Sequence, residues 1–321
     1  MDISFQKAAY SRSQGRRSLS LTEKRNRTQR IETMAESIFT LCAFLAVFAV
    51  GAITLYMVAN GVPAIYRLGV REILFSSAWK PVAADPSYGI LYVILTSVIG
   101  TVLAVALGVP VALLTAVFLA EIAPRPLAAL VRPAVELLAG IPSVVYGLLG
   151  MLVLNPFMYR LEQVVFHGSR THQFTGGANL LSAVLVLVVM ILPTVISVSE
   201  TALRAVPDQL RVSSMALGAS RIQTIFQVVL PAARPGITTA VVLGVGRAVG
   251  EAMAINLVSG GSVNVPLPFS SVRFLTTAIV SEMGYAEGVH RQVLFTIGLV
   301  LFGFIMLVNI LLHKIMRGED G

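Results

Sequence analysis

The sequence predicts an all-α polytopic membrane protein with six transmembrane helices. Of its 321 residues, 56% are apolar and only 12% are charged, proportions that exclude a soluble protein of ordinary composition. Apolar runs of at least ~18 residues recur along the chain, and each is long enough to cross a hydrocarbon core about 30 Å thick. Lipid offers the backbone no hydrogen-bond partners, so these runs must be helices. The six runs lie near residues 37–59, 89–119, 134–157, 179–203, 236–258 and 292–313.

The basic residues indicate how the chain is oriented in the membrane. Most of the 24 Lys and Arg residues fall on the cytoplasmic side when the N-terminus is placed inside, as the positive-inside rule requires. Residues 1–35 are then a basic cytoplasmic N-terminal tail, and residues 314–321 are a cytoplasmic C-terminal tail. The net charge of +8 is therefore explained by the positive-inside rule. It indicates a protein that contacts membrane lipid and not one that binds nucleic acid. A signal peptide is a poorer interpretation of the N-terminus, because the first apolar run is too long for one.

The segment near residues 205–235 is too polar to cross a bilayer and is expected in the cytoplasm. Gly218 can adopt the left-handed conformation that ends a short first helix. Ser220 and Gln223 match a capping box that opens a second helix, which Pro231 ends. The pattern predicts two short helices joined at a glycine on the cytoplasmic face. An amphipathic connector lying in the headgroup layer is the alternative.

Two pairs of opposite charges are expected at the cytoplasmic edges of the spans. Arg132 precedes Glu136 where the third span begins, and Glu200 precedes Arg204 where the fourth span ends. Side chains four residues apart lie on one face of a helix and can interact. Each pair is therefore predicted to form an ion pair within its own helix.

Two hydroxyl side chains of the third span lie beside residues that loosen a helix. Ser143 and Tyr146 follow Gly140 and Pro142, which weaken the helix just inside the bilayer. The hydroxyls are therefore candidates for lining a polar path. Ordinary packing between membrane helices is the alternative role for residues of these types.

Arg247 and Glu251 are the charged pair that lies deep within a predicted span. A charge at the middle of a membrane helix costs about 2.5–3.5 kcal/mol on insertion scales, so something must offset Arg247. In one interpretation Glu251, one turn later, neutralises Arg247 and the pair orients the helix. In the other, Arg247 faces the path and its planar guanidinium makes forked hydrogen bonds to an anion, while Glu251 holds it in place. The sequence leaves both interpretations open.

No catalytic chemistry is indicated within this chain. No lysine follows a glycine as a phosphate-binding loop would require. The four histidines lie in loops or at a span end, which excludes an intramembrane Ser–His pair and a helical HExxH zinc site. An intramembrane enzyme is a poor hypothesis, and ATP that drives this protein must bind another chain.

Five segments carry a resemblance to a known transporter family. The pattern ALGASRxxTIxxVVLPAA at 216–233 contains the loop signature of permease subunits of ATP-driven (ABC) importers. The other four are WxP at 79–81, ELLAGIPSVVYG at 136–147, GxGRAxGE at 244–251 and EMGYAxGxHRQ at 282–292. Together they resemble the PstC family of membrane subunits of the bacterial phosphate importer. Val212 stands where that family has a glutamate, so docking on the ATPase is expected through apolar and backbone contacts.

The resemblance implies a type I ABC importer permease fold, in which one extra helix precedes a core of five helices. It implies a non-catalytic subunit of the bacterial inner (cytoplasmic) membrane, with no cofactor or metal bound by this chain. A PstA-like permease would complete the path as a heterodimer. A PstB-like ATPase dimer would bind ATP and Mg below it, and a PstS-like phosphate-binding protein would deliver the substrate from outside.

The same resemblance implies the residues of two sites. The anion path would be lined by Arg247, Glu251, Ser143 and Tyr146. The loop that contacts the ATPase would include Ala216, Leu217, Gly218, Ala219, Ser220, Leu230 and Pro231. An importer permease for another oxyanion, such as sulfate, molybdate or phosphonate, is the alternative function. A stand-alone secondary transporter is a more distant one.

Overall fold

The computed structural model describes residues 3–169 and 172–317. The elements of the first half are α1 (Ile3–Leu68), α2 (Val70–Phe75), β1 (Trp79–Lys80), β2 (Ser87–Tyr88), α3 (Leu91–Val117), α4 (Arg125–Gly140), α5 (Ser143–Leu149) and α6 (Asn155–Val165). The two strands pair antiparallel in a small hairpin. A turn of π-helix, Phe118–Ile122, extends α3 and is called the α3 π-turn below; a second, Gly150–Leu154, joins α5 to α6.

The second half of the chain is also helical. Its elements are α7 (Leu180–Arg204), α8 (Asp208–Ala216), α9 (Arg221–Thr224), α10 (Leu230–Ala232), α11 (Arg234–Gly250), α12 (Met253–Val258), α13 (Leu275–Glu282) and α14 (Gly288–Arg317). A third π-turn, Ile225–Val229, lies between α9 and α10. Residues 318–321 of the expected C-terminal tail lie outside the described residues.

The chain divides into two compact units, Met1–Met57 and Val58–Gly321. From Ile3 onward the first unit is one continuous helix, and no proline precedes Pro63 to interrupt it. Between Met34 and Tyr56 the large apolar side chains of this helix are exposed. A lipid environment suits such a surface.

Among the described residues, five helical segments are long and apolar enough to cross a membrane. They are Glu32–Leu68, Leu91–Ile122, Ser143–Val165, Leu180–Arg204 and Gly288–Leu311. A sixth results if Arg221–Ala232 and Arg234–Gly250, which are bent by 70°, are counted as one span. The predicted class, an all-α protein with several membrane spans, is confirmed.

The third and fifth predicted spans are both broken in the structure. Residues 134–157 were expected to form one helix, but α4 ends at Gly140 and α5 begins at Ser143. Pro142 causes this break, because the residue before a proline avoids the helical conformation and Ile141 is extended. Residues 236–258 are divided at Glu251, which is also extended, into α11 and α12.

Helix α7 lies at the centre of the second unit and packs against α3, α4 and α11. Its buried side chains include Leu187, Met190 and Ile191, which form a core with Tyr146 of α5 and Ile255 of α12. Both broken spans are therefore held against one unbroken helix.

A buried carboxylate holds together a second part of this unit. Glu282 of α13 accepts a hydrogen bond from Trp79 Nε1 at 3.1 Å, lies 2.7 Å from His290 Nε2 and pairs with Arg273. A buried charge is tolerated when it is paired and hydrogen-bonded in this way. The contacts fasten the hairpin, α13 and α14 to one another.

Candidate functional site

The break in the third span brings a predicted path residue against the free end of α4. The Tyr146 hydroxyl donates to the Leu138 carbonyl oxygen at 2.7 Å. The last carbonyls of a helix have no partner within that helix, and this bond satisfies one of them. Ser143 is half-buried at the start of α5. The phenol therefore stabilises the break itself.

The break in the fifth span depends on Glu251. Its Oε1 accepts the Ala254 backbone N–H at 2.9 Å, and its own carbonyl accepts the Thr276 hydroxyl at 2.6 Å. The first N–H groups of α12 have no acceptor within that helix, and the Glu251 carboxylate is the acceptor for one of them. Within the described part of the chain Glu251 forms no ion pair with Arg247. The structure thus differs from the interpretation in which the two residues neutralise each other.

The two breaks meet. At Gly147, a Cβ atom would lie 2.7 Å from Ala254 Cα, which is shorter than real contacts of this kind. Only glycine allows the backbones of α5 and α12 to come so close at this point. Tyr146 and Glu251 are therefore brought to neighbouring ends of two helices that touch.

Arg247 lies on the last turn of α11, beside this junction. Its Nη1 donates to Thr194 Oγ1 of α7 at 3.4 Å, a long hydrogen bond. Its charge also acts electrostatically on the Tyr146 hydroxyl. A guanidinium has five N–H donors, and the described residues occupy few of them. The site therefore combines a half-buried cation with unused donors, which suits an oxyanion.

The charged residues that were expected at the cytoplasmic ends of the spans pair differently from the prediction. Arg204 and Glu200 form the expected pair, with Nε and Oε1 2.9 Å apart. Arg132 does not pair with Glu136 in the described residues; its Nε lies 2.5 Å from Glu200 Oε1 on another helix. Glu200 is buried and Glu136 is exposed, so a cation stabilises the charge of Glu200 more strongly than it would stabilise that of Glu136. These four residues line a cavity of about 230 Å³.

The loop near residues 205–235, expected in the cytoplasm and called the cytoplasmic loop below, has the predicted helix–glycine–helix form. Gly218 has φ +92° and follows α8. The capping box is present: Ser220 Oγ accepts the Gln223 N–H at 3.3 Å, and the Ser220 N–H donates to Gln223 Oε1 at 2.8 Å. After a π-turn, the helical segment ends at Ala232, one residue beyond the predicted end at Pro231.

No sequence pattern indicated Glu121, which the structure places at the centre of the loop's attachment. Its Oε1 and Oε2 accept Arg211 Nη2 at 2.7 Å and Arg211 Nε at 3.4 Å. This forked hydrogen bond raises the pKa of Arg211 above its ordinary value. An acidic residue directly after an apolar run was the available signal. Its partner lies 90 residues later, so spacing could not identify the pair.

Comparison with known proteins gives consistent matches. A family described as "Binding-protein-dependent transport system inner membrane component" matches residues 108–318. The chain is 40% identical over 300 residues to the probable ABC transporter permease protein YqgH of Bacillus subtilis, covering 91% of this chain and 94% of that protein. It is 33% identical to the phosphate transport system permease protein PstC of Haemophilus influenzae, covering 88% and 91%.

A solved structure shares this fold. A chain of a bacterial alginate ABC transporter, crystallised with an alginate pentasaccharide-bound periplasmic protein, superposes with a TM-score of 0.55 at 15% identity. The alignment covers 85% of this chain and 95% of that one. At this identity the likeness concerns the fold alone.

Proposed function

The chain belongs to the family of binding-protein-dependent transport system inner membrane components, and on this basis we propose that it is the permease subunit of a phosphate importer driven by ATP. With a homologous partner it would form the transmembrane path for inorganic phosphate. The relatives support the choice of substrate, since proteins named phosphate transport system permease protein PstC match most of the chain. The observation that carries the proposal is the half-buried Arg247 at the meeting of two broken helices.

Phosphate fits the donors at this site. A planar guanidinium can give two parallel hydrogen bonds to a tetrahedral oxyanion, which a lysine ammonium cannot. Ser143 adds a half-buried hydroxyl near the same junction, whereas the Tyr146 hydroxyl is already donated to the Leu138 carbonyl oxygen and holds the break in shape. Glu251 adds a negative charge just beyond the end of the helix that carries Arg247, so the anion is opposed as well as attracted. A residue that lines a transport path must bind the anion strongly enough for it to enter and weakly enough for it to leave.

The partners in this proposal are a PstA-like permease, a PstB-like ATPase dimer and a PstS-like phosphate-binding protein. The cytoplasmic loop supports a protein contact, because large apolar side chains stand exposed on it. They are Val212, Met215, Leu217, Ile222 and Phe226. Leu217 is 90% exposed, and a partner that covers it removes apolar surface from water. ATP and Mg would bind to that partner, where hydrolysis occurs.

The function is tested by transport in vesicles that contain this chain with its permease, ATPase and binding-protein partners. We expect uptake of radioactive phosphate to require ATP inside the vesicles and the ATPase subunit. Excess sulfate, molybdate or methylphosphonate should compete weakly. Equal competition by one of these would assign the path to another oxyanion. Uptake without the ATPase would make the protein a secondary transporter.

A second prediction concerns orientation. The distribution of basic residues places the loop containing Ser220 in the cytoplasm and the loop containing Ser262 outside. We expect single cysteines at these two positions, in a Cys42→Ala background, to react from opposite sides with a thiol reagent that cannot cross the membrane. Cys42 must be removed because it is exposed. Reaction of both from one side would contradict the orientation.

A further inference from the structure

Four arginines from four different helices converge on the α3 π-turn, residues Phe118–Ile122. Arg132 of α4 and Arg204 of α7 both donate to the Leu119 carbonyl oxygen, at 3.4 and 3.2 Å. Arg221 of α9 donates to the Glu121 carbonyl oxygen. Arg211 of α8 binds the Glu121 side chain. The turn is therefore linked to both helices of the cytoplasmic loop and to two helices of the membrane region.

The end of a helix suits this arrangement. The last carbonyl oxygens of α3 and its π-turn receive no hydrogen bond from an N–H group of the same helix. Guanidinium groups can therefore donate to them. The C-terminal end of the helix dipole also favours cations. Glu121 and Glu200 supply the negative charge that keeps the arginines together.

The contact between Glu121 and Arg211 differs from the others in burial and geometry. The two side chains are 10% and 16% exposed, and the guanidinium is held by both carboxylate oxygens. Arg211 also donates to the Leu203 and Val206 carbonyl oxygens at the end of α7, at 2.9 and 2.5 Å. A forked contact of this kind resists sliding and rotation. It fixes α8 to the ends of α3 and α7 together.

An apolar layer lies behind the arginines. Ile225 and Val229, from the π-turn that follows α9, are buried with Val117 of α3 and Leu203 of α7. Helix α3 in turn packs on α7 and α11, the helices that carry Thr194 and Arg247. A continuous set of contacts thus joins the cytoplasmic loop to the candidate anion site.

We propose that Glu121 is a positioning residue that transmits displacement of the cytoplasmic loop to α3 and, through α3 and α7, to the anion site. This inference rests on the proposed function, since it assumes that a partner ATPase displaces the loop. The exposed apolar face of the loop meets the ATPase. When the ATPase displaces the loop, the Glu121–Arg211 contact makes α3 move with it. Without that contact, α8 loses its forked link to α3, and movement of the loop reaches α3 only through the weaker contacts of Arg221 and the apolar layer.

The test is Glu121→Gln in the complete transporter reconstituted in vesicles. Glutamine keeps the shape and the backbone contacts but removes the charge that holds Arg211. We expect the number of phosphate ions taken up per ATP hydrolysed to fall about tenfold, within the range seen for residues in coupling networks. ATP hydrolysis and the amount of assembled complex should stay near those of the unchanged protein.

Asp208→Asn is the matched control. Asp208 also touches Arg211, at 3.2 Å, but its side chain is 95% exposed, and an exposed pair contributes little. We expect the ratio of uptake to hydrolysis to change less than about twofold in this variant. Arg211→Lys keeps the charge and loses the fork, and should give an intermediate ratio.

An unchanged ratio in Glu121→Gln would overturn the proposal. So would a fall of uptake and hydrolysis in proportion to the assembled complex, which shows a purely structural role. If Glu121→Gln fails to assemble, the ratio in Arg211→Lys decides: a lowered ratio supports the proposal, and an unchanged one overturns it. Failure of the unchanged complex to take up phosphate with ATP would refute the proposed function instead.

Discussion

Replacing Arg247 by glutamine should abolish phosphate uptake in the reconstituted transporter while the complex still assembles and hydrolyses ATP. Loss of a charged group from a desolvated contact costs about 2–5 kcal/mol, which corresponds to a fall in the initial uptake rate of about 30-fold or more. Folding should be little affected, because the described contact of the Arg247 side chain is one long hydrogen bond to Thr194. The initial rate of radioactive phosphate uptake measures the effect.

Two variants serve as controls for this result. Thr194→Val removes the hydroxyl that touches Arg247 and preserves the side-chain shape; we expect a loss of uptake below about fivefold, as for one weak hydrogen bond. Arg247→Lys keeps the charge and loses the fork, so uptake should remain strongly reduced. Normal uptake in Arg247→Gln would remove Arg247 from the path. Reciprocal exchange of Arg247 and Glu251 is a poorer test, because an arginine at 251 cannot accept the Ala254 N–H.

Gly218→Val should uncouple ATP hydrolysis from phosphate uptake. Gly218 has φ +92°, a conformation in which a residue with a Cβ atom is strained by about 1–2 kcal/mol. No atom lies within 4 Å of the added Cβ, so the strain arises in the backbone and not from a clash. Valine will shift the connection between α8 and α9 and move the exposed Leu217. We expect uptake to fall about tenfold or more, with hydrolysis retained.

Gly218→Asn is the control for this second result, because asparagine tolerates the left-handed conformation better than other residues with a Cβ. It should retain most of the uptake. Insertion of both variants into the membrane can be compared by the amount of subunit recovered in the complex. Unchanged uptake in Gly218→Val would show that the loop is only a connector.

Local features of the fold were predictable from the sequence. Runs of apolar residues indicate membrane helices because the bilayer imposes their length. The capping box at Ser220 and the left-handed Gly218 depend on neighbours a few residues away, and the structure contains both. These predictions needed no knowledge of the tertiary arrangement.

Tertiary features were not predictable in this way. Spacing along one helix suggested that Arg132 pairs with Glu136, but Arg132 pairs instead with the buried Glu200 of a neighbouring helix. Arg247 and Glu251 are four residues apart, yet the helix ends between them, so they do not share a helix face. Glu121 and Arg211 are distant in sequence, and only the packing of α3 against the loop brings them together.

The arginines around the α3 π-turn have a consequence for how the protein can diverge. Arg132 and Arg204 bind the carbonyl oxygen of Leu119, an atom that every amino acid carries. As far as these bonds are concerned, position 119 can drift through evolution without any compensating change. Glu121 and Arg211 join side chain to side chain, so a change at one requires a change at the other. In an alignment of relatives, covariation should therefore mark the pair 121–211 and leave the contacts at 119 undetected.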